Sequence, residues 1–91
     1  MSPEDLEKLK KTNGCEKCDL SRANLKGADL VGTYLAGADL RNADLRGANL
    51  DGADLRHADL RGAYLGGVNL KEAFFCETTM PDGTKNNTDC P

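Results

Sequence analysis

The sequence predicts an all-β solenoid that is preceded by one short helix. Leucine recurs at every fifth position from Leu20 to Leu70 without a break, and Phe75 continues the register. Alanine stands two residues before most of these leucines, and aspartate or asparagine stands directly before most of them. Glycine often falls two residues after them. Strict repetition at one short period is typical of chains that wind into solenoids.

A period of five fits neither a helix nor a straight strand. On an α-helix the leucines would spread around the whole cylinder, and on a straight strand an odd spacing would send them to opposite faces. A chain that turns every five residues avoids both problems, because alanine and leucine, two residues apart, then share one inward face. Glycine suits the corner that follows. We therefore expect a core stack of these residues: Leu20, Leu25, Leu30, Leu35, Leu40, Leu45, Leu50, Leu55, Leu60, Leu65, Leu70 and Phe75.

The helix is predicted at the beginning of the chain. Ser2 suits the N-cap position and Pro3 the first helical position, while Asp5 stands where the acid of a capping box would be. Asn13-Gly14 ends the pattern. Because so short a helix is not stable alone, we expect it to cover the first end of the solenoid.

The repeated units also carry a family resemblance. Runs such as Ala38-Asp39-Leu40-Arg41-Asn42, followed by Ala43-Asp44-Leu45-Arg46-Gly47, resemble the A(D/N)LXX units of the pentapeptide repeat family. The resemblance covers residues 16 to 82 and implies a right-handed quadrilateral β-helix with four pentapeptides in each coil. The period of five by itself predicts only that the chain turns every five residues; the four sides of each coil are implied by the resemblance alone. The short helix and the cysteine-containing tail are similar to those of small cyanobacterial and thylakoid-lumen members.

These observations together divide the chain into three parts. We expect an N-terminal capping helix over 1–14, a pentapeptide-repeat β-helix of about three coils over 15–82 and a C-terminal tail or cap over 83–91. Well-covered ends favour a monomer, whereas an uncovered end at Phe74 and Phe75 would favour a dimer.

The four cysteines form two pairs near the two ends of the predicted solenoid. We expect the disulfides Cys15–Cys18 and Cys76–Cys90, of which the second would close a loop of about 15 residues and stabilise the fold by ~3 kcal/mol. The alternatives are a Cys76–Cys90 bridge alone, or free or metal-bound thiols. One zinc ion shared by all four is excluded, because the pairs lie ~14 Å apart and Zn–S bonds are about 2.3 Å long.

The redox state of the four cysteines indicates the cellular compartment of the protein. Disulfides favour an extracytoplasmic location such as the periplasm or thylakoid lumen, and free thiols favour the cytoplasm.

Composition excludes several function classes. Twelve basic and fifteen acidic residues give a net charge of −3, which is not the basic footprint of a nucleic-acid-binding protein. No apolar stretch is long enough for membrane insertion. No nucleophile, base and acid are grouped, and a packed core leaves no pocket. We therefore expect no enzyme activity, no catalytic or metal-binding residues and no cofactor.

The remaining interpretation is a rigid structural or protein-interaction module whose partner is another protein. One alternative is a gyrase-binding DNA mimic, which family members linked to quinolone resistance suggest, but near charge balance over residues 16–75 opposes it. A second alternative is a thiol redox or metal module at the CxxC of Cys15 and Cys18.

The surface residues can also be placed. Tyr34 and Tyr64 are expected on opposite outer faces, and Lys71 above Asp51 is expected to form an ion pair between coils.

Overall fold

A computed structural model describes residues 1–91. It contains one helix, α1 (Pro3–Lys11), and one antiparallel strand pair, β1 (Thr78–Thr79) and β2 (Lys85–Asn86). Between α1 and β1 the chain turns every five residues, and one isolated β-bridge residue lies between successive turns. No helix is both long enough and apolar enough to cross a membrane.

Ten isolated parallel bridges show how the chain winds. Each bridge joins residues twenty positions apart, so the chain returns to the same side of the solenoid after four turns. The bridged residues form four columns, which we name after their first members. They are the Gly14 column (Gly14, Tyr34, Asp54, Phe74), the Asp19 column (Asp19, Asp39, Asp59, Thr79), the Asn24 column (Asn24, Asp44, Tyr64) and the Asp29 column (Asp29, Asn49, Asn69).

Backbone hydrogen bonds between successive circuits have a fixed direction. A bridged residue directs both its N–H and its C=O toward the preceding circuit: Asp39 N–H donates to Cys18 C=O, and Asp39 C=O accepts from Leu20 N–H, both at 2.8 Å. Each circuit therefore presents one set of groups toward the N-terminal end and the complementary set toward the C-terminal end.

The interior is filled by the expected leucines and by alanines. Leu20 to Leu60 and Phe75 are buried, whereas Leu65 and Leu70 are partly buried and pack against this core. Those two are more exposed because the chain does not add another repeat above them. Thr33 and Thr78 replace alanine, and their hydroxyls donate to Leu30 C=O and Leu55 C=O at 2.7 Å. No buried side-chain nitrogen or oxygen lacks a hydrogen-bond partner.

Helix α1 is joined to the first circuit through its N-terminal residues. Ser2 Oγ accepts from Asp5 N–H at 3.2 Å, as an N-cap does. The other half of a capping box does not form, because Ser2 N–H donates to Asp19 C=O and the Asp5 carboxylate accepts from Asp19 N–H at 2.8 Å. Leu9 is buried against the core. Asp5 thus joins the helix to the solenoid instead of closing the helix on itself.

The tail covers part of the opposite end. Phe75 N–H donates to the Asp89 carboxylate at 2.9 Å, and Glu77 N–H donates to Asn87 Oδ1 at 2.7 Å. The pairing of β1 with β2 joins residues on both sides of position 82. Phe74 beside it is about half exposed.

Candidate functional site

The outer surface is built from one repeated side-chain hydrogen bond. In nine units the aspartate or asparagine oxygen accepts the backbone N–H of the residue two positions later, over 2.9 to 3.2 Å. This bond satisfies the corner N–H, which is why short Asx side chains suit the position. The residues are Asp19, Asn24, Asp29, Asp39, Asp44, Asn49, Asp54, Asp59 and Asn69.

Three of these aspartates also pair with arginines within their own unit. The Nη2···Oδ2 distances are 2.8 Å for Arg41–Asp39, and 2.7 Å for both Arg46–Asp44 and Arg56–Asp54. Hydrogen bonds from Arg46 lower the pKa of Asp44 to about 2. The expected ion pair between Lys71 and Asp51 is not formed, so that prediction is wrong. Arginine two residues after aspartate reaches the carboxylate without leaving its unit.

Aromatic residues replace the Asx residue in three units. At Tyr34 and Tyr64 the corner bond is lost, and the N–H groups of Ala36 and Gly66 have no partner within the chain. At Phe74 a different group takes over, because Cys76 N–H donates to Thr78 Oγ1 at 3.2 Å. The aromatic side chains therefore do not satisfy the corner N–H groups, and all three residues are more than half exposed.

Two of the aromatic residues lie on the same face. Tyr34 and Phe74 belong to the Gly14 column, where Asp54 separates them, and their exposed fractions are 57% and 51%. A groove of about 420 Å³ lies between them. We call its lining the aromatic face: Gly32, Tyr34, Gly52, Asp54, Arg56 and Phe74.

Tyr64 has a different environment, although it is equally exposed at 58%. It lies in the Asn24 column, two turns away from the aromatic face along each circuit, and Arg46 stacks over its ring with the guanidinium carbon 5.8 Å from the centroid. Tyr64 therefore does not share a face with Tyr34, and the residue that does, Phe74, is not among the pairs expected from the sequence. The signal was the forty-residue spacing of Tyr34 and Phe74, which places both in one column.

The cysteines lie as two close pairs. The sulfur atoms of Cys15 and Cys18 are at disulfide distance, with Cα atoms 5.2 Å apart, and both residues are buried at the first circuit. Cys76 and Cys90 are likewise at disulfide distance, with Cα atoms 4.8 Å apart. No three His, Cys, Asp or Glu side chains are grouped so that they could hold a metal ion.

Comparison with known proteins identifies the repeats. A family model described as pentapeptide repeats matches eight copies over residues 18–56 and 58–82. Among curated proteins, no sequence matches the chain significantly.

Solved structures include two similar solenoids. The pentapeptide repeat protein Rfr23 from the cyanobacterium Cyanothece 51142 is 41% identical over 75% of this chain and 44% of its own, with a TM-score of 0.66. HetL from the cyanobacterium Nostoc sp. strain PCC 7120, described as involved in heterocyst differentiation regulation, is 41% identical over 80% of this chain and 32% of its own, with a TM-score of 0.58. The chain thus spans less than half the length of either protein.

Proposed function

The chain belongs to the pentapeptide repeat family, and on this premise we propose that it is a rigid, non-enzymatic scaffold that binds another protein. Proteins of this family are generally structural or interaction modules and are generally not enzymes. The proposal places a protein-binding surface on a solenoid whose interior is packed with leucine and alanine.

We also propose the detailed fold of the chain. The chain forms a right-handed quadrilateral β-helix of about three coils over residues 15–82, with a capping helix over 1–14 and a capping tail over 83–91. The twenty-residue spacing of the bridges supports four sides per coil, and the hydrogen bonds of Asp5 and Asp89 support the two caps.

The proposal also includes two disulfides, Cys15–Cys18 and Cys76–Cys90. The two short sulfur separations support them, and they are compatible with an oxidising compartment such as the periplasm or thylakoid lumen. Burial of Cys15 and Cys18 disfavours a thiol-exchange role, because exchange requires access to the sulfur. We expect the protein to be a monomer.

The aromatic face is the main support for the proposed protein-binding function. Tyr34 occupies a position where asparagine or aspartate would satisfy the corner N–H, and the ring is exposed without a cation stacked on it. Exposed aromatic rings bring large contact area at low entropic cost and are enriched in interfaces between proteins. Gly32 and Gly52 leave the floor between the rings low enough for a partner side chain to enter.

The matched variants Tyr34→Ala and Tyr64→Ala test this function. In cells of the source organism, crosslinking of the full chain followed by mass spectrometry should recover one specific partner. Tyr34→Ala should reduce its yield about tenfold, as expected for an aromatic hot-spot residue, whereas Tyr64→Ala should leave it unchanged. Recovery of only random neighbours, or equal effects of the two variants, would contradict the proposal.

A further inference from the structure

The N-terminal end of the solenoid is closed on two columns and open on the other two. At the closed columns Asp19 N–H is held by the Asp5 carboxylate, and Gly14 N–H donates to Thr12 Oγ1 at 3.2 Å. At the open columns Asn24 and Asp29 have no partner for either the backbone N–H or the backbone C=O. These four groups form an unsatisfied strand edge, which is a template for pairing with another chain.

The circuit above shows what this edge is built to accept. Asp44 N–H donates to Ala23 C=O, and Asn49 N–H donates to Ala28 C=O, both over 2.9 Å. The geometry of Asn24 and Asp29 repeats that of Asp44 and Asn49 one circuit earlier in the stack. An extended segment below the first circuit would therefore find one donor and one acceptor on each open column.

A cleft leads to this edge. It lies between the C-terminal half of α1 and the first circuit and has a volume of about 660 Å³. Its lining includes Lys10, Lys11 and Lys26 but only one acidic side chain, Asp29. The nearly buried Leu25 and Leu30 form an apolar part of the floor. The cleft thus combines free backbone groups with a surplus of positive charge.

A second copy of the chain does not fit here. The complementary groups at the other end, such as Leu65 N–H and Leu70 N–H, are also unpartnered and lie on the same two sides. If two copies stacked, the last circuit of one would have to lie ~4.8 Å from the first circuit of the other. Helix α1 is about 10 Å thick, and the tail also lies between the two end circuits. The covers on the closed columns therefore keep the open edges of two copies apart, whereas a single extended segment can enter beside α1.

We propose that this cleft binds an extended, acidic segment of a partner protein, which adds to the Asn24 and Asp29 edge as a β-strand. The inference rests on the proposed protein-binding function and supplies a second contact for it. Backbone hydrogen bonds from both columns hold the segment, as in other cases of strand addition. Its carboxylates pair with Lys10, Lys11 and Lys26, so binding weakens as salt screens these charges.

The test uses the full, oxidised chain and a synthetic peptide of two consecutive A(D/N)LXX units with glutamate at the corner positions. A peptide with lysine at those positions is the control. Fluorescence anisotropy should show binding of the glutamate peptide only. Backbone amide chemical-shift changes on binding should centre on residues 24–30.

Two variants separate strand addition from simple charge attraction. Asn24→Pro removes an N–H that has no partner in the free protein and should weaken binding about tenfold. Lys26→Glu should weaken it about fivefold, and the matched Lys71→Glu at the other end should have no effect. Circular dichroism of Asn24→Pro reports whether the fold is intact; if it is not, the amide chemical-shift changes over residues 24–30 of the unmodified chain carry the test of strand addition, and Lys26→Glu tests the charge attraction.

The outcomes distinguish this inference from the proposed function. Failure of the glutamate peptide to bind, or binding that none of these variants changes, overturns the inference, and so does a single-stranded oligonucleotide that binds this cleft more tightly. If the cellular partner still depends on Tyr34, the proposed function stands without the cleft. If the peptide does not bind and the cellular partner does not depend on Tyr34, both the inference and the proposed function are wrong.

Discussion

The four columns of the solenoid are built from the same repeat, but they end in two different ways. We call the Gly14 and Asp19 columns the closed half and the Asn24 and Asp29 columns the open half. On the Gly14 and Asp19 columns, α1 covers the N-terminal end and the tail covers the C-terminal end. On the Asn24 and Asp29 columns the backbone groups at the N-terminal end have no partner, and neither have Leu65 N–H and Leu70 N–H at the C-terminal end. In the middle circuits all four columns bond alike. The repeat therefore specifies how the stack grows, and the flanking residues specify where it stops.

The closed half replaces the missing circuits with side chains. Asp5 supplies an acceptor for Asp19 N–H, and Asp89 and Asn87 supply acceptors for Phe75 N–H and Glu77 N–H. Each of these oxygens stands where a preceding or following circuit would bring a carbonyl oxygen. A few polar residues outside the repeat are thus sufficient to end a strand edge without another layer.

The largest effect is expected in the interior, away from both ends. Leu45 is fully buried, so Leu45→Ala should lower the free energy of unfolding by about 3 kcal/mol through lost burial and a residual cavity. Leu70→Ala, at the open C-terminal end, should cost only about 1 kcal/mol because its side chain is already partly exposed. Urea denaturation measures both, and equal losses would mean that the open end is not open in solution.

The two proposed disulfides should contribute unequally to the closed half. The Cys76–Cys90 loop is longer, so replacing both residues by serine should lower the free energy of unfolding by about 3 kcal/mol, against about 2 kcal/mol for Cys15 and Cys18. The tail should also become sensitive to proteases only in the first variant. Thermal unfolding with and without reductant gives the comparison, and a Cys76/Cys90 variant as stable as the wild type would contradict the role of the tail as a cap.

Removing one capping carboxylate should have a smaller effect. Asp5→Ala leaves Asp19 N–H without its acceptor and should cost about 1.5 kcal/mol, because a partly buried donor loses its only partner. Asp29→Ala is the control on the open half and should cost about 0.5 kcal/mol through its exposed corner bond to Val31 N–H. Chemical denaturation of the two variants side by side decides whether the closed columns depend on their caps.

The smallest effect concerns the surface ion pairs and their response to acid. The pKa of Asp44 falls from 3.8 to about 2 on folding, so the stabilisation is present above pH 3.8 and is lost as the pH falls to about 2. Arg46→Gln should reduce this acid sensitivity. Arg61→Gln changes the same position of another unit but breaks no ion pair, and it should behave as the wild type.

Urea midpoints at pH 7 and near the acid limit provide the measurement. Identical pH profiles for Arg46→Gln and the wild type would show that the pair adds no stability. The effect is expected to be small because Arg46 is exposed and Asp44 is only partly buried.

Much of the architecture could be predicted from the sequence, because the spacing of leucine allows only a chain that turns every five residues. The Asx position is also visible in the sequence, since aspartate or asparagine stands directly before most of the leucines, and in the structure their side chains accept backbone N–H groups. Local spacing could not show that the arginines bond within their own unit, because both arrangements place opposite charges close together. The role of Asp5 depends on the distance between α1 and the first circuit, which no repeat pattern specifies.

The aromatic face could have been predicted in part. Tyr34 and Phe74 are forty residues apart, and a twenty-residue circuit places them in one column. The exposure of the Phe74 ring could not be predicted, since the sequence does not tell where the repeat gives way to the strand pair. The open columns depend on the paths of both ends, and these are set by contacts such as those of Asp89, outside the repeat.

Amide hydrogen exchange of the free protein, measured residue by residue by NMR, tests the difference between the closed and open columns most directly. Asp19 N–H should exchange slowly because it is bonded to Asp5 of α1. Tyr34 N–H, Asp44 N–H and Asn49 N–H should exchange slowly because they are bonded between circuits. Asn24 N–H and Asp29 N–H should exchange rapidly. Equal protection of all six amides would contradict the account, because the first circuit would then be closed on every side.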